Sequence, residues 1–232
     1  MPRKILGSVI LALNLACAAD DRAPAERNRG IAPDTTSRES SAPVIAFLGT
    51  SLTVGLGLPE EDAFPALIQD TLDALKMDFR VINAGVSGET SAGGLRRIEW
   101  LLQQPISILV LELGANDGLR GLDVETMRSN LQTIIDRTEK AHADAVIMIL
   151  GMEAPPNMGR PYTTAFQRVF AEIAQANGAT LVPFLLDSVG GIAELNQADG
   201  IHPTAEGHRI MARTVWRVLE GVVRELDGQR AR

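Results

Sequence analysis

The chain has 232 residues, enough for one ordinary domain with a real core, and its hydrophobic share of 45% is too high for a disordered polymer. Aromatic residues make up only 4%, so that core must rest on Leu, Ile, Val and Ala. A net charge of -7 argues against nucleic acid as a partner, because phosphate binding needs a basic surface.

The chain opens on a basic "MPRK", continues with the apolar "ILGSVILALNLA", and meets its single cysteine, Cys17, at once. That is the layout of a signal peptide, and the apolar stretch is too short for a membrane span. One cysteine allows no intrachain disulfide. Small Ala16 before Cys17 resembles the lipobox of bacterial lipoproteins, in which the cysteine is lipidated and becomes the mature N-terminus. Asn14 stands where that pattern usually has Leu, and cleavage at an Ala-x-Ala site such as "ACA" or "CAA" is the competing reading. The next stretch, "ADDRAPAERNRGIAPDTTSRESSAP", is poor in large apolar residues and rich in Pro, Ser, Asp and Arg. It cannot bury enough surface to offset chain entropy. The expected organisation is a signal peptide over residues 1–17, a disordered tether over 18–42, a folded domain over 43–225 and a charged tail over 226–232. The expected location is outside the cytoplasm: periplasmic or lipid-anchored to a membrane, otherwise secreted.

Within the domain, "VIAFLG" is an apolar run closed by glycine and predicts a buried strand. "EDAFPALIQDTLDALK" spaces its apolar residues three and four apart, as an amphipathic helix does, with Pro65 in the first turn. "FRVINAG" predicts a second strand, "SAGGLRRIEWLLQQ" a helix and "SILVLELG" a third strand. "VETMRSNLQTIIDRTEKA" predicts a long helix, "AVIMILG" a fourth strand, and "YTTAFQRVFAEIAQANG" a helix stopped by glycine. "TLVPFLL" predicts a short fifth strand and "TAEGHRIMARTVWRVLEGVVREL" the closing helix. Strands that alternate with helices, several of them apolar on both faces, predict a three-layer α/β/α fold. Its sheet is five-stranded, mostly parallel and doubly wound. Ligands of such sheets bind at the carboxyl ends of the strands.

The residues that follow each strand are therefore the site candidates. Strand one ends in Gly49-Thr50-Ser51-Leu52, strand two in Asn83-Ala84-Gly85 before "VSGETS", and strand three in Gly114-Ala115-Asn116-Asp117. The loop before the last helix carries Asp199-Gly200-Ile201-His202-Pro203. Each alone has a bland explanation: a helix cap, a turn former, a polar loop. Acyl transfer needs a nucleophile, a base, an orienting carboxylate and oxyanion donors, and one of each falls on this side of the sheet.

In this order the residues resemble the GDSL, or SGNH, hydrolase family, whose fold is flavodoxin-like. The marker Ser, Gly, Asn and His fall on Ser51, Gly85, Asn116 and His202, and the DxxH element on Asp199 and His202. The words "INAGVSGETSAGGLRRI", "LVLELGANDGLRG" and "DGIHPTAEGH" resemble the bacterial thioesterase, arylesterase and lysophospholipase branch. The resemblance implies Ser51 as nucleophile, His202 as base and Asp199 as its orienting acid. It also implies the N–H groups of Ser51 and Gly85, with the Asn116 amide, as the oxyanion hole. It implies a small-molecule ester or thioester substrate and no cofactor. The family's first block usually reads Gly-Asp-Ser-Leu; Thr50 here keeps a hydroxyl and loses the charge.

Asp117 and Glu89 flank the marker residues as rival acids, and both are expected to be structural. His142 falls at a helix end opposite the active side. His208 falls in the closing helix, facing solvent or packing. Three scattered histidines and one leader cysteine make no metal site. "GMEAPPNMGRPY" follows strand four on the active side, so Met152, Pro155, Pro156 and Met158 either line an acyl pocket or simply pack a loop. A carbohydrate deacetylase of the same family and a non-catalytic tethered binding lipoprotein are the alternative functions. Oligomeric state is left open.

Overall fold

The computed structural model describes residues 42–230. The leader with Cys17 and the tether up to residue 41 lie outside the described residues. Five strands form one sheet: β1 (Val44–Gly49), β2 (Arg80–Gly85), β3 (Ile106–Glu112), β4 (Val146–Leu150) and β5 (Thr180–Val182). Their order is β2-β1-β3-β4-β5 and every pairing is parallel. All of β1 is buried, which is why "VIAFLG" shows no polar alternation.

Seven α-helices connect and cover the strands among the described residues: α1 (Ser51–Val54), α2 (Phe64–Ala74), α3 (Ser91–Leu101), α4 (Ala115–Leu119), α5 (Val124–Ala141), α6 (Arg160–Asn177) and α7 (Ala205–Arg230). Strand order reverses at β1, so right-handed crossovers send helices to opposite faces. α2 packs on α7, while α3, α5 and α6 pack in series. The core between the layers is aliphatic, with Phe47, Phe64 and Phe166 as its largest buried side chains.

The boundaries differ from the sequence reading where local chemistry intervenes. β5 stops at Val182 because Pro183 has no N–H to give a ladder. Glu60–Asp62 form a separate 3-10 turn, and α2 begins only at Phe64. The Phe64 N–H donates to His208 Nδ1 at 3.1 Å, so His208 caps α2 from α7 and is buried rather than facing solvent. α7 continues to Arg230, past the residue 226 at which the tail is expected. His142 ends α5 and donates from Nε2 to Leu102 O at 3.1 Å, in the polar helix-end role expected of it.

At the amino ends of the strands, Pro43, Ile106, Ala145, Leu226 and Arg230 line one cleft. The folded chain thus enters and leaves at the same pole. The carboxyl ends of the strands point to the other pole.

Candidate active site

β1 delivers the chain to Gly49, and α1 starts two residues later at Ser51. A Cβ on Gly49 would stand 1.9 Å from Thr53 Oγ1 and 2.7 Å from Glu112 Oε2, so no larger residue fits beneath this turn. Thr50, not Ser51, is the N-cap of α1: its hydroxyl accepts the Leu52 N–H. Ser51 is thereby relieved of the capping role, and its Oγ stands 3.0 Å from His202 Nε2.

His202 sits in a loop knotted at its base. Gln197 N–H donates to His202 O at 2.7 Å, and Thr204 N–H to Leu195 O at 2.8 Å. The Gln197 side-chain amide reaches Leu56 O at 2.7 Å and so ties this loop to the turn after α1. Asp199 Oδ1 accepts the N–H groups of Ile201 and His202, and Oδ2 accepts from His202 Nδ1 at 2.7 Å. These bonds, the imidazole's first, hold the Asp199 carboxyl well below the usual carboxylate range. An ionised carboxylate on Nδ1 fixes the tautomer with Nδ1–H and leaves Nε2 to accept the Ser51 hydroxyl proton.

Under the Ser51 turn lies a carboxylate that the sequence reading did not single out. Glu112, at the end of β3, is fully buried. Its Oε2 accepts the Thr50 N–H and the Thr53 hydroxyl, both at 2.8 Å, and its carboxylate accepts the Thr50 hydroxyl at 3.0 Å. Burial raises its pKa to about 7 against the pull of these donors. Thr50 therefore acts as a donor to a carboxylate brought from β3. The signal was present as a lone charge at the end of an apolar strand, which must find partners when buried.

Asn116 lies in the first turn of α4, and its Nδ2 donates to Glu89 O at 3.0 Å. It lines a cavity of about 740 Å³ together with Ser51, His202 and Gly88. Gly85 does not face this cavity, which corrects the sequence assignment. Its N–H donates to Asn83 Oδ1 at 3.0 Å, and a Cβ there would stand 2.3 Å from Val54 N. Gly85 is glycine because β2 packs directly on the α1 backbone. Gly88, three residues on, supplies a backbone N–H with no hydrogen-bond partner among the described residues.

Met152, Pro155 and Pro156 line the cavity. Met158 does not; it packs over Gly121. Leu56, Leu119, Phe184, Leu186 and Ile201 complete an apolar wall that periodicity did not point to. The two rival acids are both committed elsewhere. Asp117 accepts the Ser91 N–H and hydroxyl at the start of α3, and Glu89 pairs with Arg97. Among the described residues, no three His, Cys, Asp or Glu side chains converge as metal ligands would.

Residues 47–210 match the model of the GDSL-like Lipase/Acylhydrolase family. The chain belongs to that family. Among curated relatives of this GDSL-like hydrolase, esterase TesA of Pseudomonas aeruginosa is 39% identical over 79% of this chain and 91% of its own length. The arylesterase of Vibrio mimicus is 38% identical over 74% of this chain and 85% of that protein. The solved structure of the psychrotrophic esterase EstA from Pseudoalteromonas, inhibited by monoethylphosphonate, superposes with a TM-score of 0.74. That pair is 34% identical, with 78% of this chain and 98% of EstA covered.

Proposed function

We propose that this GDSL-family enzyme is a serine esterase acting on short- to medium-chain carboxylic esters or thioesters through a Ser51–His202–Asp199 triad and an acyl-enzyme. The observation that carries the reading is the relay from Asp199 through both ring nitrogens of His202 to Ser51 Oγ, at 2.7 and 3.0 Å, opening on an apolar cavity. His202 takes the Ser51 proton as Ser51 attacks the carbonyl, and Asp199 stabilises the imidazolium that forms. The oxyanion is received by the N–H groups of Ser51 and Gly88 and by the Asn116 amide. The leaving alcohol or thiol takes the proton back from His202. Water, activated by the same imidazole, then releases the acid.

Relatives named esterase and arylesterase support this reaction class, and a phosphonate inhibitor on EstA fits a nucleophilic serine. The wall of Met152, Pro155, Leu119 and Ile201 suits an acyl chain. The leader and Cys17 remain our basis for an exported, lipid-anchored enzyme with its hydrolase domain starting near residue 43.

A fluorophosphonate probe with peptide mass spectrometry tests the proposal, run beside a panel of p-nitrophenyl esters of increasing acyl length. The reading expects one adduct, on Ser51, and hydrolysis that declines at long acyl lengths. A binding protein with a dead site would give neither adduct nor turnover.

A further inference from the structure

Arg120, at the end of α4, donates from Nη2 to Gly88 O at 2.9 Å from the exposed side, but a second cation joins the segments that carry the oxyanion donors from beneath, and it has no place in the triad. Arg97 projects from α3 beneath the turn after β2. Its Nη2 donates to Ala84 O at 2.7 Å and to Gly49 O at 3.2 Å, and its Nε donates to Glu89 Oε2 at 2.7 Å. The Arg97 and Glu89 side chains are only 20% and 10% exposed. Gly49 O also accepts the Val86 N–H at 3.0 Å, so the end of β1 and the turn after β2 share one anchor.

Two of these contacts lie close to a donor in sequence, and the third, at Ala84, fixes the end of β2 from which the Gly88 turn departs. Gly49 is two residues before Ser51, and Glu89 follows Gly88. The Glu89 carbonyl receives the Asn116 amide, which aims that side chain as well. An oxyanion hole works by preorganised placement, and errors of a fraction of an ångström lower the rate without lowering affinity. A guanidinium reaches a carboxylate and two carbonyls from one rigid plane; an ammonium on a flexible stem cannot hold all three.

We propose that Arg97, acting through Glu89 and the carbonyls of Gly49 and Ala84, is a positioning residue that sets the spacing of the Ser51, Gly88 and Asn116 donors; this rests on the esterase reading above. The alternative, a purely structural ion pair, assigns Arg97 and Glu89 to stability alone, which would leave turnover in a folded variant untouched.

The test compares wild type, Arg97→Lys, Arg97→Ala and Asn116→Ala on p-nitrophenyl butyrate, with melting temperature measured on each. In folded Arg97→Lys, kcat should fall about tenfold or more while KM stays within about twofold, the pattern of an interaction made in the transition state. The fluorophosphonate inactivation rate should fall in parallel, because phosphonylation also builds charge on an oxygen in the hole. Tens of millimolar guanidinium should restore part of the kcat of Arg97→Ala and leave wild type unchanged. The Arg97→Lys loss should shrink in an Asn116→Ala background, since the two changes damage one device. Unchanged kcat in folded Arg97→Lys, no guanidinium rescue, or losses that simply multiply would overturn the positioning role. Should Arg97→Ala not fold, the lysine variant and its pairing with Asn116→Ala decide alone. A labelled, active wild type beside an unimpaired lysine variant sinks this inference only. A wild type with neither label nor turnover sinks the esterase reading, and this inference with it.

Discussion

Glu112 and His208 are both buried, and they titrate across nearly the same pH range in opposite senses. The Glu112 carboxyl is raised from 4.5 to about 7 by burial, and the His208 imidazole is lowered from 6.5 to about 4 by the same cause. As pH rises from 4.5 to 7, the unfolded chain releases the Glu112 proton before the folded chain does, so stability falls. As pH drops from 6.5 to 4, the unfolded chain takes up a proton at His208 while the folded chain stays neutral, so stability falls in that direction. At about 1.4 kcal/mol for each tenfold change in proton affinity, either group contributes about 3 kcal/mol. In the native protein these two effects largely offset one another. Glu112→Gln removes one and keeps a polar side chain for Thr50 and Thr53. Relative to wild type, the variant should gain stability progressively from pH 4.5 to 7, by up to about 3 kcal/mol, and level off above. Urea unfolding of both proteins from pH 4 to 8 reads this difference directly, with all other titrating groups common to the pair. A difference that does not change with pH would refute the burial argument for Glu112.

Ser51→Ala should abolish both ester hydrolysis and probe labelling while leaving the urea midpoint unchanged, because Thr50 rather than Ser51 caps α1; full activity or an adduct on another serine overturns the triad. Asn116→Ala should lower kcat by about a hundredfold to a thousandfold, the usual loss for one oxyanion donor, and unchanged turnover in the folded variant removes Asn116 from the hole. Gly85→Ala should damage the fold, since its Cβ would press on the Val54 backbone, whereas alanine at Gly88 meets only Arg120 Nη2, at 3.7 Å, and costs just the local strain of a left-handed φ of 75°, about 1 kcal/mol. Melting temperature and kcat of the two alanine variants separate the packing glycine from the cavity glycine. Cys17→Ser should abolish metabolic acyl labelling; processing that continues at the same residue without lipid points to an ordinary signal peptide.

Sheet and helices were legible because their signals are local. β1 is an apolar run closed by glycine, β3 is apolar almost throughout up to Glu112, and Val124–Ala141 matches its 3.6-residue pattern from the Asp123 cap onward. Ser51, Asp199 and His202 were legible because each stands in a short word of fixed spacing. The sequence does not separate Gly85 from the cavity-lining Gly88, because "NAGVSGETS" holds two glycines three residues apart and a linear pattern does not say which one is pinned against α1. The supporting contacts were hidden for another reason. Thr50 meets Glu112 across 62 positions, Arg97 meets Gly49 across 48, and Gln197 meets Leu56 across 141. No periodicity encodes a hydrogen bond between residues so far apart.

Because Pro43 and Arg230 border one cleft at the amino pole of the sheet, the body of the enzyme can be gripped by either end without approach to Ser51. The six residues of β1 alone span roughly 20 Å between that grip and the Ser51 turn. A bead or fusion partner coupled beside Pro43 or Arg230 would leave the cavity opening outward. The same proximity means that a short linker could close residues 43–230 into a ring, and a permuted chain could then be reopened in an exposed turn with its sheet order intact.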